Sequence, residues 1–505
     1  MANLTSSLGL GLSGLQASQD AMGVIGHNIA NVNTPDYSRQ AVVLTENPAE
    51  TFGNFKFGTG VDVKGVTALR DQFLNLQLTH SLASQSGAQA RYTGVQAVSS
   101  AFQDDGTTGL NTQMKQFFDS LSSLAANPED TSLRQNVVGM STSMLNEFKS
   151  TYHELSSQVA SANQQVGALI PQINTITAQI ATLNTQIGQQ LDPSSDNDAI
   201  DQRQKLTDQL AGLVGIQVSS NSDNQFQITV DSGAATLVSG TTAYKLKASP
   251  SPDLGNNLQV TLASDHSVPV DVTGKITGGT LGGNLALRDD ILPGYENTLD
   301  RIAGSLAGQV NKVCADGYGL PDSKGNSVKG TLLFTSTGVP GGGPGLDPAT
   351  GQVAAIGGQP GYKGIINTLT VNPGLTGNLD LLAASGTAGV AGDNQNLLKM
   401  AALQTANGTV DSTGSGTFET GPFSTAVSSL VNSVGTQAQT FNTSATNQEN
   451  LTTALQTQKS SASGVDLDQE AAQLLAYQQG YQACAQFITT ISQLTNTLMT
   501  TMASR

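Results

Sequence analysis

The chain has 505 residues, a net charge of −16 and only 12% charged residues, about half the usual share. Such an acidic balance argues against nucleic acid or an anionic membrane as partner, because phosphate recognition needs a basic footprint. Trp is absent and aromatics are 5%, while Gly numbers 55, so long helices with neutral faces and Gly-rich β segments are expected, and the regular apolar periodicity excludes full disorder.

The length suffices for several domains. Cys314 and Cys484 are the only cysteines, too few for a disulfide framework, and both are expected to be buried thiols. The start, MANLTSSLGLGLSG, has no basic region and no unbroken apolar core, so it does not read as a cleavable signal peptide. No apolar run reaches spanning length. A soluble chain is expected, leaving the cell, if it leaves, without such a signal.

The first element predicted is a helix. Leu4, Leu8, Leu12, Leu15, Met22, Ile25 and Ile29 recur at helical spacing. From Met1 to Ala30 the only acidic residue is Asp20, and there is no Lys or Arg. An exposed helix ordinarily carries charge for solubility, so this one is expected to be ordered by packing against other copies or partner chains. Asn31-Val32-Asn33-Thr34-Pro35-Asp36-Tyr37 then stops it: Asn tolerates a left-handed φ, and Pro35 forces Thr34 out of the α region. Ala41 to Leu44 and Val61 to Val66 read as short strands around the Gly-rich TFGNFKFGTG, a β arm near residues 40–66.

From Arg70 the pattern turns helical. One helix, led by Phe73, Leu76 and Leu78, runs toward Phe102, and Asp104-Asp105-Gly106 breaks it. A second, with Met114, Phe117, Leu121 and Leu124, closes at Asn127-Pro128. A third begins at Leu133 and leads into a heptad seam: Leu155, Val159, Ala162, Val166, Leu169, Ile173, Ile176, Ile180, Leu183 and Ile187. Pro171 lies inside it, off the seam, so a kink or break is expected near Ala168 to Gln172. Asp196 to Asp198 should cap a helix from Ala199 to Val214. Residues 217–276 alternate with period two and read as one small antiparallel β domain. A helix returns from Leu292 to Val313. Residues 317–385, including VPGGGPGLDP, read as short strands and mobile loops. Asn396 to Leu403 and a stripe from Phe423 to Leu455 are helical again. Leu467 to Met502 mirrors the first helix, with no charged residue from Ala471 to Ser504. The two terminal helices are natural antiparallel partners, and charge depletion marks interface cores.

Candidate chemistry is sparse. Gly9-Leu10-Gly11-Leu12-Ser13-Gly14 satisfies GxGxxG but lacks the preceding strand of a dinucleotide site, so its glycines read as allowing close helix packing. His153-Glu154-Leu155-Ser156-Ser157 lacks a zincin's second His. Asp192, Asp196, Asp198 and Asp201 only loosely resemble a calcium loop. Asp201 and Arg203 could form a packed pair that fixes helix docking. Four His and two Cys, widely scattered, suggest no catalytic residues, no metal site and no cofactor.

Ile25-Gly26-His27-Asn28-Ile29-Ala30-Asn31-Val32-Asn33-Thr34-Pro35-Asp36-Tyr37-Ser38 resembles the N-terminal signature of bacterial flagellar rod, hook and hook-associated proteins. Ser463-Gly464-Val465-Asp466-Leu467-Asp468-Gln469-Glu470, followed by Leu474-Leu475-Ala476-Tyr477-Gln478-Gln479-Gly480-Tyr481-Gln482-Ala483, resembles their C-terminal one. Asn197 to Arg203, Gly278 to Gly283 with Arg288-Asp289, Val310-Asn311, Gly317-Tyr318 and Gly392-Asp393-Asn394 are similar to the members lying between hook and filament. Gln469 stands where an acidic residue is common, and Cys314 where His is expected.

The resemblance implies a structural subunit, not an enzyme. It implies export through the flagellar type III channel to an extracellular place in the flagellum. The partners would be further copies, the hook protein, the second hook–filament junction protein, and an export chaperone at the C-terminal helix. Hook or rod subunits, and a secreted enzyme, are the alternatives. The expected fold is mainly α with β inserts, a long antiparallel helical body built from both chain ends. Its expected parts are a terminal helical pair (1–37 with 466–505) that orders on assembly; a helical rod domain (38–216, 284–317, 391–465); a β-rich insert (217–283); and a Gly-rich insert (318–390). The expected assembly surface comprises Leu4, Leu8, Leu12, Leu15, Met22, Ile25, Asn28 and Ile29 with Leu474, Gln478, Tyr481, Ala485, Ile488, Leu494 and Leu498. Asn31, Asn33, Thr34, Pro35 and Tyr37 are the expected joint between layers.

Overall fold

The neutral apolar stripe of the first residues forms α1 (Ala2–Ala30) in a computed structural model of the chain. The structure describes residues 2–503 except 53–54, 105, 193, 264–268, 337–344, 348–349, 354, 357–358 and 407–421. Most of the VPGGGPGLDP loop therefore lies outside the described residues. The β arm consists of β1 (Gln40–Glu46), a small hairpin of β2 (Glu50–Phe52) and β3 (Phe55–Phe57), and β4 (Val61–Ala68), with β1 and β4 antiparallel. Helices α2 (Gln72–Ser99), α3 (Leu110–Ala126) and α4 (Thr131–Gly188) follow.

Pro171 does not break α4, which is continuous across it. Its ring sits on an exposed face while Ile170 and Ile173 on either side are buried. The missing N–H removes one ladder hydrogen bond, and burial of the seam (Val166, Ile173, Ile180 and Ile187 are all buried) holds the rest.

Next come α5 (Asn197–Leu213) and seven strands: β5 (Ile216–Ser220), β6 (Phe226–Val230), β7 (Thr236–Ser239), β8 (Thr242–Ala243), β9 (Lys245–Pro250), β10 (Leu258–Ala263) and β11 (Val270–Asp271). They make two antiparallel sheets, β5-β6-β7-β8 and β9-β10-β11. Period-two alternation reports that a strand has a buried face, not which strands share a sheet. The chain continues through α6 (Gly279–Ala286), α7 (Leu292–Asp316), short strands β12 (Phe334–Ser336), β13 (Ala355–Ile356), β14 (Gln359–Pro360) and β15 (Leu369–Val371), α8 (Pro373–Gly377), α9 (Gln395–Ala402), α10 (Phe423–Ser463) and α11 (Leu467–Ala503).

The chain divides into two units. One comprises Met1–Gly87, Ala168–Gly282 and Thr446–Arg505. In it the side-chain amides of Asn174 and Asn184 on α4 act as surrogate strand backbone: Asn174 pairs with both N–H and C=O of Leu246, and Asn184 with both of Phe226. Among the described residues Arg203 pairs with no carboxylate, contrary to the expected Asp201 partnership. Its buried guanidinium lies 3.7 Å above the Phe226 ring and donates to Asn184 Oδ1 at 2.9 Å and to the Asn224 carbonyl. The two side chains project from α5 in different directions, two positions apart.

The other unit comprises Ala88–Gly167 and Gly283–Ala445. Its core gathers Val95, Phe117, Phe118, Phe148, Leu299, Ile302, Phe334 and Val427, all at most 1% exposed. Buried polar side chains again stand in for backbone. Arg134 donates to the carbonyls of Pro128, Leu379 and Leu382, and Asn311 pairs with Phe334 through both its amide groups. Asp393 accepts from Ser385 Oγ and Gly386 N, and Asn394 donates to Ala125 O. With so few aromatic residues, loops low in apolar content are pinned by buried hydrogen bonds.

Candidate assembly interface

Helices α1 and α11 pack against each other along their lengths in an antiparallel pair. Glycines set the closeness. A Cβ at Gly11 would stand 2.8 Å from Ile488, one at Gly14 would stand 2.9 Å from Cys484 Sγ, and one at Gly480 would stand 3.5 Å from Ser18 Oγ. At the other end Asn28 Nδ2 donates to Glu470 Oε2 at 3.1 Å. Each step forward on α1 thus meets a matching step back on α11, one register throughout. Gly11 and Gly14 do what the GxGxxG string suggested, letting helices approach, while Gly9 faces open space.

The base of the pair is a buried polar node. Glu470 is 0% exposed and accepts from Arg39 Nε at 2.5 Å. Asn28, 1% exposed, gives its Nδ2 to the Gln40 carbonyl and accepts on Oδ1 from Gln40 N and from Tyr37 Oη at 2.8 Å. The backbone N–H of Arg39 donates to Ser463 O, tying the strand start to the end of α10. Burial and the nearby Asp198, Asp201 and Glu470 carboxylates push the Tyr37 phenol well above its ordinary value. Beside it, Asp201 takes Ser38 N and Oγ and Arg70 Nε at 2.7 Å, while Arg70 also holds Asn197. Sequence reasoning missed Arg39, Gln40, Arg70 and Glu470. For Arg39 and Glu470 the one available signal was charge standing at the borders of charge-poor helices; Gln40 and Arg70 carried none.

The exit turn is built as expected in kind but not in detail. Asn31 Nδ2 caps the His27 carbonyl and Thr34 Oγ1 donates to Asn31 Oδ1. The left-handed residue is Asp36, φ 66°, not an Asn; its carboxylate pairs with Lys459 at 3.2 Å. Asn33, Thr34 and Pro35 are exposed. Beneath the turn lies a groove of about 800 Å³ floored by Leu78 and Leu82 and edged by Lys205 and Lys459.

The expected assembly residues separate by depth. Ile25 and Asn28 are buried within the chain; Leu15, Met22, Ile29, Leu474, Tyr481, Ala485 and Ile488 are half-buried; Gln478 is exposed. Leu8, Leu12, Leu494 and Leu498 are 41%, 49%, 55% and 42% exposed, and Met499 and Met502 continue that uncovered surface. Leu4 belongs to α1, but its side chain is outside the described residues. The β arm is an unforeseen third neighbour of α1: Val61 N donates to Ser13 Oγ, and Gly60, φ 114°, sits against the same side chain. Both cysteines are free. Burial pushes the Cys314 thiol up to about 12, but Cys484 is only half-buried.

Among the described residues no group of three or more His, Cys, Asp or Glu could hold a metal ion, and no helix is long and apolar enough to cross a membrane.

Comparison with known proteins places these features. The flagellar hook-associated protein FlgK helical domain matches residues 95–331, the flagellar basal body rod FlgEFG protein C-terminal family matches 456–501, and the flagella basal body rod protein family matches 8–37. Flagellar hook-associated protein 1 of Escherichia coli (strain K12) is 29% identical over 98% of this chain and 100% of its own length. The Salmonella typhimurium protein of that name is 28% identical with the same coverage, and the Bacillus subtilis one 24% over 95% of each. The solved flagellar hook junction protein FlgK from Burkholderia pseudomallei shares the fold, with a TM-score of 0.62 over 77% of this chain and 100% of that one at 19% identity. Terminal helices matched by rod families around a body matched by a hook-associated one make this chain a structural flagellar component, similar over 98% of its length to flagellar hook-associated protein 1.

Proposed function

We propose that this chain joins the flagellar hook to the filament by self-assembly of its terminal helical pair into the axial tube. The observation that carries the reading is the outer part of that pair. Leu8, Leu12, Leu494, Leu498, Met499 and Met502 stand uncovered on helices with no charge between Ala2 and Gln19 or between Ala471 and Ser504. An apolar, charge-free surface of that extent is costly in water and suits an interface core. In this reading residues 1–37 and 466–505 form the inner tube, and the helical rod domain and the inserts at 217–283 and 318–390 form the body. Asn31 to Tyr37 carries the chain between layers. The neighbours are further copies, the hook protein and the second junction protein. The subunit passes through the export channel with a chaperone on the C-terminal helix to an extracellular place, and it catalyses no reaction.

The test is Leu494→Asp in the full chain. Leu494 is 55% exposed, so the melting temperature and circular dichroism should stay unchanged while sedimentable assembly and hook binding fall at least tenfold. Normal assembly by this variant would sink the reading.

A further inference from the structure

Asp300 on α7 is the one fully buried carboxylate among the described residues of the unit comprising Ala88–Gly167 and Gly283–Ala445. It makes no ion pair among the described residues. Its partners are two backbone N–H groups, Gly364 at 2.5 Å and Ile366 at 3.2 Å. Both belong to a small turn, Tyr362–Thr368, that otherwise closes on itself. Ile365 N donates to Tyr362 O, Asn367 N to Gly364 O, and Thr368 N to Ile365 O. Gly364 supplies the left-handed step, φ 79°. Alternate amides thus hold the turn together and hold it to α7. Ile365 and Ile366 are at most 1% exposed beneath it. Tyr362 also lies on α7: a Cβ at Gly304 would stand 2.8 Å from its ring, and Ser305 Oγ donates to its Oη at 3.3 Å.

The groups around Asp300 are mostly acids. Glu296 stands four residues back on the same face of α7. Tyr152 approaches from α4 and Lys363 from the turn itself. Arg301 is turned to the Tyr362 ring, 5.9 Å from its centroid. A buried carboxyl without a paired cation keeps its proton to higher pH. Burial above all, with Glu296 adding to it and the two N–H donors and Lys363 opposing, brings Asp300 from 3.8 up to about 7. Burial also raises Glu296, against Lys363. It raises the Tyr152 phenol too, with Asp300 and Glu296 adding, so that group stays protonated throughout.

We propose that Tyr362–Thr368 is an acid-tightened clasp on α7: the turn closes on protonated Asp300 and opens more readily once Asp300 and Glu296 both carry charge. In the open form Asp300 meets water and returns to its ordinary behaviour, so a proton binds the closed form more tightly. Closure is therefore strongest below about pH 4, weakens as pH rises to about 7, and is level above that. What the clasp governs is the attachment of the Gly-rich insert. Strand β15 starts at Leu369, directly after the turn, and pairs with β12. Opening uncovers Ile365 and Ile366 and frees the entry to that pair. In the extracellular place proposed above, the medium sets the pH; the clasp itself does not rest on that reading, and the purified chain tests it alone.

The experiment is amide hydrogen exchange on the full chain from pH 5 to 8, corrected for the intrinsic pH dependence of exchange. Protection of residues 361–368 should fall about fifty- to a hundredfold across that range, the change expected for one proton released, and level off near pH 7. At every pH these amides should exchange faster than those of 110–126, which marks a local opening and not unfolding of the core. Asp300→Asn should give a flat profile. Glu296→Gln, which leaves both N–H bonds to Asp300 in place, should make the fall level off at lower pH. Three results overturn the proposal: a change under about fivefold in the unsubstituted chain, exchange of 361–368 in step with 110–126, or an Asp300→Asn profile as steep as the parent's. Should Asp300→Asn fail to fold, a Glu296→Gln curve superimposed on the parent's overturns it as well.

Discussion

The register of α1 against α11 can be trapped with one substitution. A Cβ placed on Gly14 stands 2.9 Å from Cys484 Sγ, close enough for Gly14→Cys to place the second sulfur within bonding reach, since bridged cysteines have Cβ atoms about 3.5–4.5 Å apart. Cys314, the other thiol, is 0% exposed and should not compete. The bridge would close a loop of about 470 residues, for which the chain-entropy relation gives about 6 kcal/mol, less whatever strain the native helices absorb. Under a mild oxidant the variant should migrate faster than its reduced form on a denaturing gel. Peptide mapping should place the cross-link between the two helices, and the oxidised chain should melt at a higher temperature. Gly9→Cys is the control, because nothing lies within 4 Å of a Cβ there. If Gly9→Cys cross-links as readily, or Gly14→Cys keeps both thiols titratable after oxidation, the single-register argument is wrong.

Two further predictions concern the body. Arg203→Met replaces a buried guanidinium by an apolar side chain of similar length and removes one donor from Asn184 Oδ1, which keeps Phe226 N, and one from Asn224. Chemical denaturation should show a loss of about 2–4 kcal/mol, since each hydrogen bond to a charged group contributes about 1.5–3; a change under about 0.5 kcal/mol would refute the pinning role. Asp300 is 0% exposed and accepts from Gly364 N and Ile366 N; burial above all, with Glu296 adding to it and the two N–H donors and Lys363 opposing, brings its carboxyl from 3.8 up to about 7. The folded state then holds a proton the unfolded chain has released between about pH 4 and 7, so this site's contribution to stability falls as pH rises through that window and is flat above it. By linkage the fall is at most about 4 kcal/mol. Asp300→Asn should remove it: urea midpoints of variant and parent should diverge in the variant's favour from pH 4.5 to 7.5, and parallel curves would contradict the assignment.

The helices were legible in the sequence because their cause is local. Apolar spacing made α1, the Leu155–Ile187 seam of α4, and α11 readable, and the scarcity of charge on α1 and α11 led to the expectation that they pair, as they do. Asp196 was readable as a cap because its side chain accepts from Ala199 N, three residues on. The GxGxxG string was readable as a packing seam because glycine removes the same atom wherever it sits.

What tertiary structure decided was every relation between distant residues. Asp201 was expected to meet Arg203 and instead meets Arg70 and Ser38, because neighbours on a helix two positions apart diverge while a strand end 131 residues away is brought alongside. Glu470 looked like one acid among the first-turn residues of a helix; only the fold buries it against Arg39 and Asn28 and makes it the key of the pair. Pro171 was expected to kink or break its helix; it does not break it, and the seam is buried on both sides of it. Periodicity specifies which face of an element is apolar, but partner and register depend on which charges can be satisfied once that face is covered, and that is settled only when the chain closes on itself.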